Sequence, residues 1–232
     1  MEKNQYNLVV SVLKKLNDVK VLPDLVLIGS WATLFYKDYY FSDNFFPVIF
    51  TRDIDFLFPS PLNSRVKVDL VNLFKDLGFV IDFKGPEGHI KLQHPELIIE
   101  FLVPEKGRGS SGKPFKIPKL GINATALRFL GLLTDDTIKI VFEDIPVTLP
   151  HPINFAYQKL IIASRRSQKE KTEKDIASAV ELIKSIVKMN QTQKLQIKFK
   201  SLPPKWQAKV LDSLKKANEF DIISILNERK EI

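Results

Sequence analysis

The chain has 232 residues, of which 44% are hydrophobic and 27% charged, and a formal net charge of +8. This apolar content suffices for a globular core, and the absence of cysteine excludes disulfide scaffolds and thiolate metal sites. No apolar run reaches the roughly 20 residues of a membrane-spanning helix, and the N-terminus lacks a signal-peptide core, so we expect a cytoplasmic protein without a membrane partner. The positive charge favours a polyanionic partner such as a nucleotide or nucleic acid, although a generally basic, lysine-rich proteome explains it equally well.

Hydrophobic periodicity predicts alternating helices and strands in the first half of the chain. The predicted elements are a helix over 4–18, a strand over 25–30, a helix over 31–36, a strand over 49–58, a helix over 64–78, a hairpin of strands 79–83 and 88–93, and a strand over 97–104. Gly78 gives the third helix a C-terminal stop. A long aromatic segment, 37–50, separates the second helix from the second strand. We expect these strands to form one mixed sheet.

The second half of the chain is mainly helical by the same criterion. A Gly-, Ser- and Lys-rich stretch, 105–121, precedes it and is typical of a linker or a mobile loop. Beyond this stretch we predict a helix over 123–133, two short strands within 137–150, and helices over 152–166, 170–190, 203–220 and 221–230. The expected fold class is α+β, a mixed sheet with flanking helices followed by a helical C-terminal region, with domains at 1–120 and 121–232.

Two carboxylates, Asp53 and Asp55, interrupt the apolar strand over 49–58. Because side chains alternate along a strand, both carboxylates project from one face while Ile54 and Phe56 point to the other. Two nearby carboxylates repel each other unless a cation lies between them, and hard oxygen ligands favour Mg²⁺ where the substrate carries phosphates. The alternative is a strand whose two acids face solvent.

Gly29, Ser30 and Glu100 occupy positions that suit the same chemistry. Gly29 and Ser30 end one strand and begin a helix, where backbone N–H groups favour a phosphate, although Ser30 can equally serve as an N-cap. Glu100 lies in the middle of an apolar strand and needs a positive partner. That partner is either a metal ion shared with the two aspartates or one of the many lysines.

The segments LIGSWA, TRDIDFLF and IEFLVP together resemble the DNA polymerase beta-type nucleotidyltransferase superfamily. Its pattern is a Gly-Gly or Gly-Ser turn, an Asp-x-Asp strand and a third carboxylate on a neighbouring strand. Over residues 22–190, the chain resembles the minimal, toxin-like branch of a bacterial nucleotidyltransferase-like family. The resemblance rests on the blocks FLVPEKGRG, ATALRFLGLL, IPVTLPHPINFAYQKLIIASRR and EKDIASAVELI. The chain departs from the common pattern in the long segment between Ser30 and Asp53 and in having glutamate at position 100.

The resemblance implies an Mg²⁺-dependent enzyme that moves a nucleoside monophosphate from an NTP, such as ATP, to a hydroxyl acceptor. It implies that Asp53, Asp55 and Glu100 are catalytic and bind two Mg²⁺ ions, with Mn²⁺ as a possible substitute. Gly29 and Ser30 then hold the β- and γ-phosphates. The acceptor is a small molecule, an RNA end or a protein side chain. The alternatives are a toxin-like transferase acting on tRNA or protein, and a catalytically silent nucleotide-binding protein.

Lys159 and Lys174 are further candidates for contacts with the nucleotide. They lie in the helical half of the chain, which in this superfamily often lines the nucleotide cleft. A solvated surface charge is the alternative for each lysine. The basic faces of the predicted helices offer, in addition, a diffuse surface for contact with nucleic acid.

The segment GRGSSGK, 107–113, fits the phosphate-loop pattern GxxxxGK. A true phosphate loop continues with Ser or Thr and a helix, whereas this segment continues with Pro114 and shows no helical periodicity. The sequence therefore predicts no Walker-type site here. Because the segment follows the strand that carries Glu100, we expect a flexible basic loop in which Arg108 and Lys113 reach the phosphates of a substrate.

Overall fold

The structure is a computed structural model that describes residues 3–41, 51–59, 66–105 and 113–228. The chain divides into two compact units. The first comprises Met1–Leu34 with Ile49–Pro150, and the second Phe35–Val48 with His151–Ile232.

The first unit contains all nine strands of the described chain. Its elements in chain order are α1 (Lys3–Asp18), β1 (Val26–Ile28), α2 (Gly29–Tyr36), β2 (Asp53–Leu57), α3 (Leu70–Leu73), β3 (Val80–Lys84), β4 (His89–Gln93), β5 (Ile98–Pro104), β6 (Phe115–Ile117), β7 (Ile122–Leu127), β8 (Thr137–Phe142) and β9 (Ile145–Pro150). The last two residues of α2, Phe35 and Tyr36, belong to the second unit. Short 3₁₀ turns lie at Leu22–Asp24, Lys75–Leu77, Pro118–Leu120 and Leu130–Leu133, and a π-helical turn at Lys37–Phe41 continues α2.

Seven of the described strands form one mixed sheet, in the order β1-β2-β5-β4-β3, with β7 pairing β5 and β6 pairing β7. The β2–β5 and β5–β7 pairs are parallel and the other pairs antiparallel, while β8 and β9 form a separate hairpin. Ile54 and Phe56 of β2 are buried, and the ring of Phe56 stacks on that of Phe101 with centroids 5.9 Å apart. One face of β2 and β5 therefore belongs to the core, and the other carries the carboxylates.

The second unit is helical. Its helices in chain order are α4 (Pro152–Ala163), α5 (Lys169–Lys188), α6 (Thr192–Ser201), α7 (Pro204–Lys216) and α8 (Phe220–Asn227). α4 is buried along most of its length and packs against α5, α6 and α7. The Tyr157 hydroxyl donates to the carbonyl of Leu195 at 2.7 Å, and the Ser213 hydroxyl donates to the carbonyl of Leu160 at 2.8 Å. These two hydrogen bonds tie α4 to α6 and α7.

The predicted fold class is confirmed: the chain is α+β, with a mixed sheet, helices and a helical C-terminal region. The helix predicted over 123–133 is wrong, since β7 and a 3₁₀ turn occupy it. Pairing of β7 with β5, where Leu102 lies opposite Thr125, outweighs the helix propensity of the Ala and Leu residues. Of the helix predicted over 64–78, the described residues 66–78 form only α3 and a 3₁₀ turn, which Gly78 ends with a φ of 85°. β6 and α6 were not predicted.

The two compact units and the predicted domains differ in residues 121–150. β7 pairs with β5, and the β8–β9 hairpin contacts β1, so these strands group with the first unit. The division into a catalytic domain 1–120 and a C-terminal domain 121–232 stays a prediction. Among the described residues, no helix combines the length and apolar character that crossing a bilayer requires.

Candidate active site

The three carboxylates predicted to be catalytic lie on one face of the sheet. β2 and β5 are parallel, and Asp55 lies directly opposite Glu100. Residues opposite each other on neighbouring strands share a face, and Asp53 precedes Asp55 by one full alternation, so all three side chains project to the same side. All three are half-buried, whereas Ile54 between the aspartates is buried. Their catalytic and metal-binding roles stay predictions.

Gly29 lies directly against the carboxylate of Asp55. β1 is antiparallel to β2 with Ile28 opposite Asp55, and α2 begins at the next residue, Gly29. A β-carbon built on Gly29 would lie 2.3 Å from Oδ2 of Asp55, and the residue has a φ of +73°. Glycine is therefore required here for both space and backbone conformation. The close approach brings the first turn of α2, where helix N–H groups favour anions, next to the carboxylate strand.

Ser30 is held by a residue that the sequence did not single out. The hydroxyls of Ser30 and Thr51 share a hydrogen bond of 2.6 Å, and Thr51 precedes Asp53 by two residues. This bond ties the first turn of α2 to the segment that leads into β2. The signal for Thr51 is present in the segment TRDID, where alternation places the threonine on the same side as the two aspartates.

Glu100 forms an ion pair with Lys91 of β4. β4 and β5 are antiparallel, with Gln93 opposite Ile98 and Leu92 opposite Ile99. Lys91, the residue before Leu92, therefore lies beside Glu100, the residue after Ile99. The side chains of Lys91 and Glu100 are only 17% and 20% exposed. The sequence left a metal ion and a lysine as alternative partners for Glu100, and the structure shows a lysine. Lys91 itself was not predicted as part of the site.

The electrostatic surroundings of Lys91 include both aspartates. Burial is the largest influence on the pKa of the Lys91 ammonium and lowers it, and the nearby Lys84 lowers it further. The carboxylates of Asp53 and Asp55 act in the opposite direction and raise this pKa. Lys91 therefore lies within electrostatic reach of both aspartates while it contacts Glu100.

The donor set on this face fits a divalent cation at Asp53 and Asp55. Mg²⁺ commonly binds through one or two carboxylates together with substrate phosphates, and the two aspartates would supply oxygen ligands from one side of β2. Across the part of the chain that the structure describes, no group of three or more His, Cys, Asp or Glu side chains is arranged to hold a metal ion. Glu100 is next to Asp55, but its carboxylate bonds to Lys91. A three-carboxylate site therefore requires that this ion pair open.

Lys159 belongs to an ion-pair cluster within the second unit. Its Nζ lies 2.9 Å from Oδ1 of Asp175, and Nε of Arg166 lies 2.9 Å from Oδ2 of the same carboxylate. The side chains of Lys159 and Asp175 are 12% and 8% exposed. The Lys159 ammonium also lies 5.1 Å from the centroid of the Phe155 ring. This cluster joins α4 to α5, a structural role of Lys159 that the sequence did not predict.

The other predicted basic contacts are spread over the chain. Lys174 is half-buried on α5, and Lys113 is exposed just before β6. Arg108 lies outside the described residues. Contacts of Lys159, Lys174, Arg108 and Lys113 with a nucleotide stay predictions.

The chain matches a family model described as nucleotidyltransferase over residues 7–202. The structure is similar to the solution structure of the antibiotic-resistance factor ANT(2'')-Ia, with a TM-score of 0.51 and 14% identity, covering 96% of this chain and 99% of that chain. It is also similar to an antigenic nucleotidyltransferase-like protein from Paracoccidioides brasiliensis, with a TM-score of 0.50 and 15% identity, covering 97% of this chain and 93% of that chain. At these identities the similarities show a shared fold. No curated protein is significantly similar to the chain.

Proposed function

Because the chain belongs to the nucleotidyltransferase family that it matches over residues 7–202, we propose that it transfers a nucleoside monophosphate from an NTP to a hydroxyl group. The predicted nucleotidyltransferase membership and enzyme class are thereby confirmed, and the toxin-like branch stays a prediction. The proposed active site is the sheet face with Asp53 and Asp55. The observation that carries this choice is the contact of Gly29 with Asp55, because it brings a helix start next to paired carboxylates.

Each residue of the site has a distinct task in this proposal. Asp53 and Asp55 hold Mg²⁺, which when bound supplies neutralising charge for the triphosphate and the departing pyrophosphate. Gly29 and Ser30 offer the N–H groups of the first turn of α2 to the β- and γ-phosphates. The Ser30 hydroxyl is already engaged with Thr51, so Ser30 acts mainly through its backbone. The acceptor hydroxyl attacks the α-phosphorus in line and loses its proton to solvent, and the bond between the α-phosphorus and the pyrophosphate oxygen breaks.

The second Mg²⁺ ion of the predicted mechanism involves Glu100. In this proposal Glu100 binds that second ion only after it has been released from its ion pair with Lys91. The proposed acceptor is a hydroxyl of a small molecule, an RNA end or a protein side chain. A toxin-like enzyme that acts on tRNA or protein is the alternative within the same chemistry.

The decisive experiment is transfer of label from each of the four α-³²P-labelled NTPs, with Mg²⁺, to components of a cell extract. We expect the wild-type chain to label an acceptor. In Asp53→Asn/Asp55→Asn the rate of labelling should fall at least about 100-fold, because without its carboxylate ligands Mg²⁺ no longer neutralises the charge of the triphosphate. The control Asp135→Asn/Asp136→Asn makes the same charge change at two exposed positions and should keep full activity.

The melting temperature with and without Mg·NTP separates the alternatives. No labelling by the wild-type chain together with no rise in melting temperature overturns the proposal. A rise in melting temperature without labelling indicates a catalytically silent nucleotide-binding protein. Labelling that survives in Asp53→Asn/Asp55→Asn places the chemistry elsewhere in the chain.

The variant Arg108→Ala/Lys113→Ala tests the predicted basic loop. Loss of two charged hydrogen bonds to phosphates should raise KM for the NTP by about tenfold or more, while the melting temperature stays the same because Lys113 is exposed. Lys116→Ala, on the exposed side of β6, is the control for a nearby loss of positive charge. An unchanged KM in the double variant makes the segment a linker.

A further inference from the structure

The charged groups of the polar face form a row across four neighbouring strands. Asp82 of β3 lies directly opposite Lys91 of β4, Lys91 contacts Glu100 of β5, and Glu100 lies directly opposite Asp55 of β2. Lys91 is the positive member of this row, among three carboxylates, and Lys84, one alternation along β3 from Asp82, places a second ammonium near it. Asp53 adds a fourth carboxylate one alternation along β2. Glu100 therefore lies between the negative charges of the two aspartates on β2 and the positive charge of Lys91 on β4.

We propose that Lys91 competes with a second divalent cation for Glu100 and thereby sets how many metal ions the active site binds. This inference rests on the proposed function, since it concerns the same carboxylates. With the ion pair closed, Asp53 and Asp55 form a one-cation site. Lys91 is then a positioning residue that acts through Glu100.

Two properties of the ion pair make the competition exclusive. The side chains of Lys91 and Glu100 are only 17% and 20% exposed, so Glu100 has little access to other partners while the pair is closed. A divalent cation on Glu100 would lie a few ångströms from that ammonium, where unscreened charges of the same sign repel strongly. A second cation can therefore bind only when Lys91 moves away or is absent. Without Lys91, Glu100 would be a half-buried carboxylate in need of a positive partner.

The test is a titration of the full chain with Mn²⁺ alone, with bound and free ions distinguished by electron paramagnetic resonance. We expect the wild-type chain to bind one Mn²⁺ tightly and a second weakly. Lys91→Met should bind the second ion at least tenfold more tightly, which corresponds to about 1.4 kcal/mol. Lys91→Arg keeps the charge and should resemble the wild type. Lys139→Met removes an exposed lysine from β8 and controls for the change in net charge.

Two further variants assign the ions to their ligands. Lys91→Met/Glu100→Gln should lose the gain of Lys91→Met, because Glu100 supplies the second site. Asp53→Asn/Asp55→Asn should lose the first ion. If Lys91→Met does not fold by near-UV circular dichroism, Lys91→Gln removes the same charge while keeping a hydrogen-bond donor for Glu100.

Several outcomes overturn the inference. One is that the wild-type chain binds two Mn²⁺ ions with equal affinity, and another is that Lys91→Met leaves the affinity for the second ion unchanged. The others are that Lys91→Met/Glu100→Gln keeps the tighter second site of Lys91→Met, and that no variant binds Mn²⁺. Its failure is distinguishable from failure of the proposed function. Nucleotide transfer that depends on Asp53 and Asp55, with the same ion count in wild type and Lys91→Met, leaves the function intact and removes only the inference.

Discussion

Gly29→Ala should destabilise the chain and weaken metal binding at the same time. The added β-carbon would lie 2.3 Å from Oδ2 of Asp55, whereas ordinary contact begins at 3.4 Å, so the two atoms must separate by about 1.1 Å. Asp55 lies in a strand paired on both sides, so the displacement falls mainly on its carboxylate. The left-handed φ of +73° costs about 1–2 kcal/mol for alanine, and the forced contact adds about 1–3 kcal/mol. We expect Mn²⁺ affinity to fall because the displaced carboxylate is a proposed ligand.

Gly85→Ala is the matched control for the backbone term. Gly85 has a φ of +69°, and nothing lies within 4 Å of a β-carbon built on it. Its replacement should therefore cost only the backbone term of about 1–2 kcal/mol and leave Mn²⁺ affinity unchanged. Urea unfolding followed by far-UV circular dichroism gives both stability changes. The difference between the two variants isolates the contact of Gly29 with Asp55.

Asp55→Ala supplies the result that would refute this reasoning. It removes the carboxylate, so Gly29→Ala in that background should cost no more than Gly85→Ala does in the wild type. The two changes at positions 29 and 55 should then couple by about 1–3 kcal/mol. Additive effects of Gly29→Ala and Asp55→Ala would show that the β-carbon and the carboxylate do not compete for the same space.

Two further substitutions test the contacts that hold the helical unit together. Asp175→Ala leaves the charges of Lys159 and Arg166 without their shared carboxylate, and urea unfolding should show a loss of about 3 kcal/mol. Tyr157→Phe removes the hydrogen bond to the buried carbonyl of Leu195, which should cost about 1–3 kcal/mol. Burial raises the pKa of Tyr157 well above its ordinary value. The neutral Tyr157 phenol therefore contributes fully to stability below about pH 10, the pKa of a tyrosine in the unfolded chain, and this contribution is lost as the pH rises further. Tyr157→Phe should reduce the loss of stability at alkaline pH.

Exposed counterparts of these contacts serve as controls. Glu173→Gln breaks an ion pair with Lys169 whose side chains are 64% and 89% exposed, and should cost less than about 1 kcal/mol. Tyr6→Phe removes an exposed hydrogen bond to Glu143 and should change stability similarly little. A loss in Asp175→Ala no larger than that in Glu173→Gln would contradict the structural role of the buried cluster. An alkaline unfolding profile that Tyr157→Phe leaves unchanged would contradict the role of its phenol.

Local patterns in the sequence were sufficient for part of the site. Asp53 and Asp55 could be assigned to one face because alternation along a single strand is a local property. Gly29 could be recognised as a strand-to-helix turn, but its contact with Asp55 depends on how β1 pairs with β2. The helix predicted over 123–133 failed for a related reason. Its residues favour a helix on their own, and only their pairing with a strand earlier in the chain makes them β7.

The partner of Glu100 depends entirely on strand register. The turn at 94–97, closed by two backbone hydrogen bonds, joins β4 to β5 and brings Lys91 beside Glu100. A shift of β4 by one residue would turn Lys91 to the opposite face and leave the half-buried Glu100 without a cation. Sequence reasoning could state that Glu100 needs a positive charge, but choosing between a metal ion and a lysine required this register. If Lys91 competes for Glu100 as proposed, the pairing of β4 with β5, in addition to the Asp-x-Asp motif, determines how many metal ions the site binds.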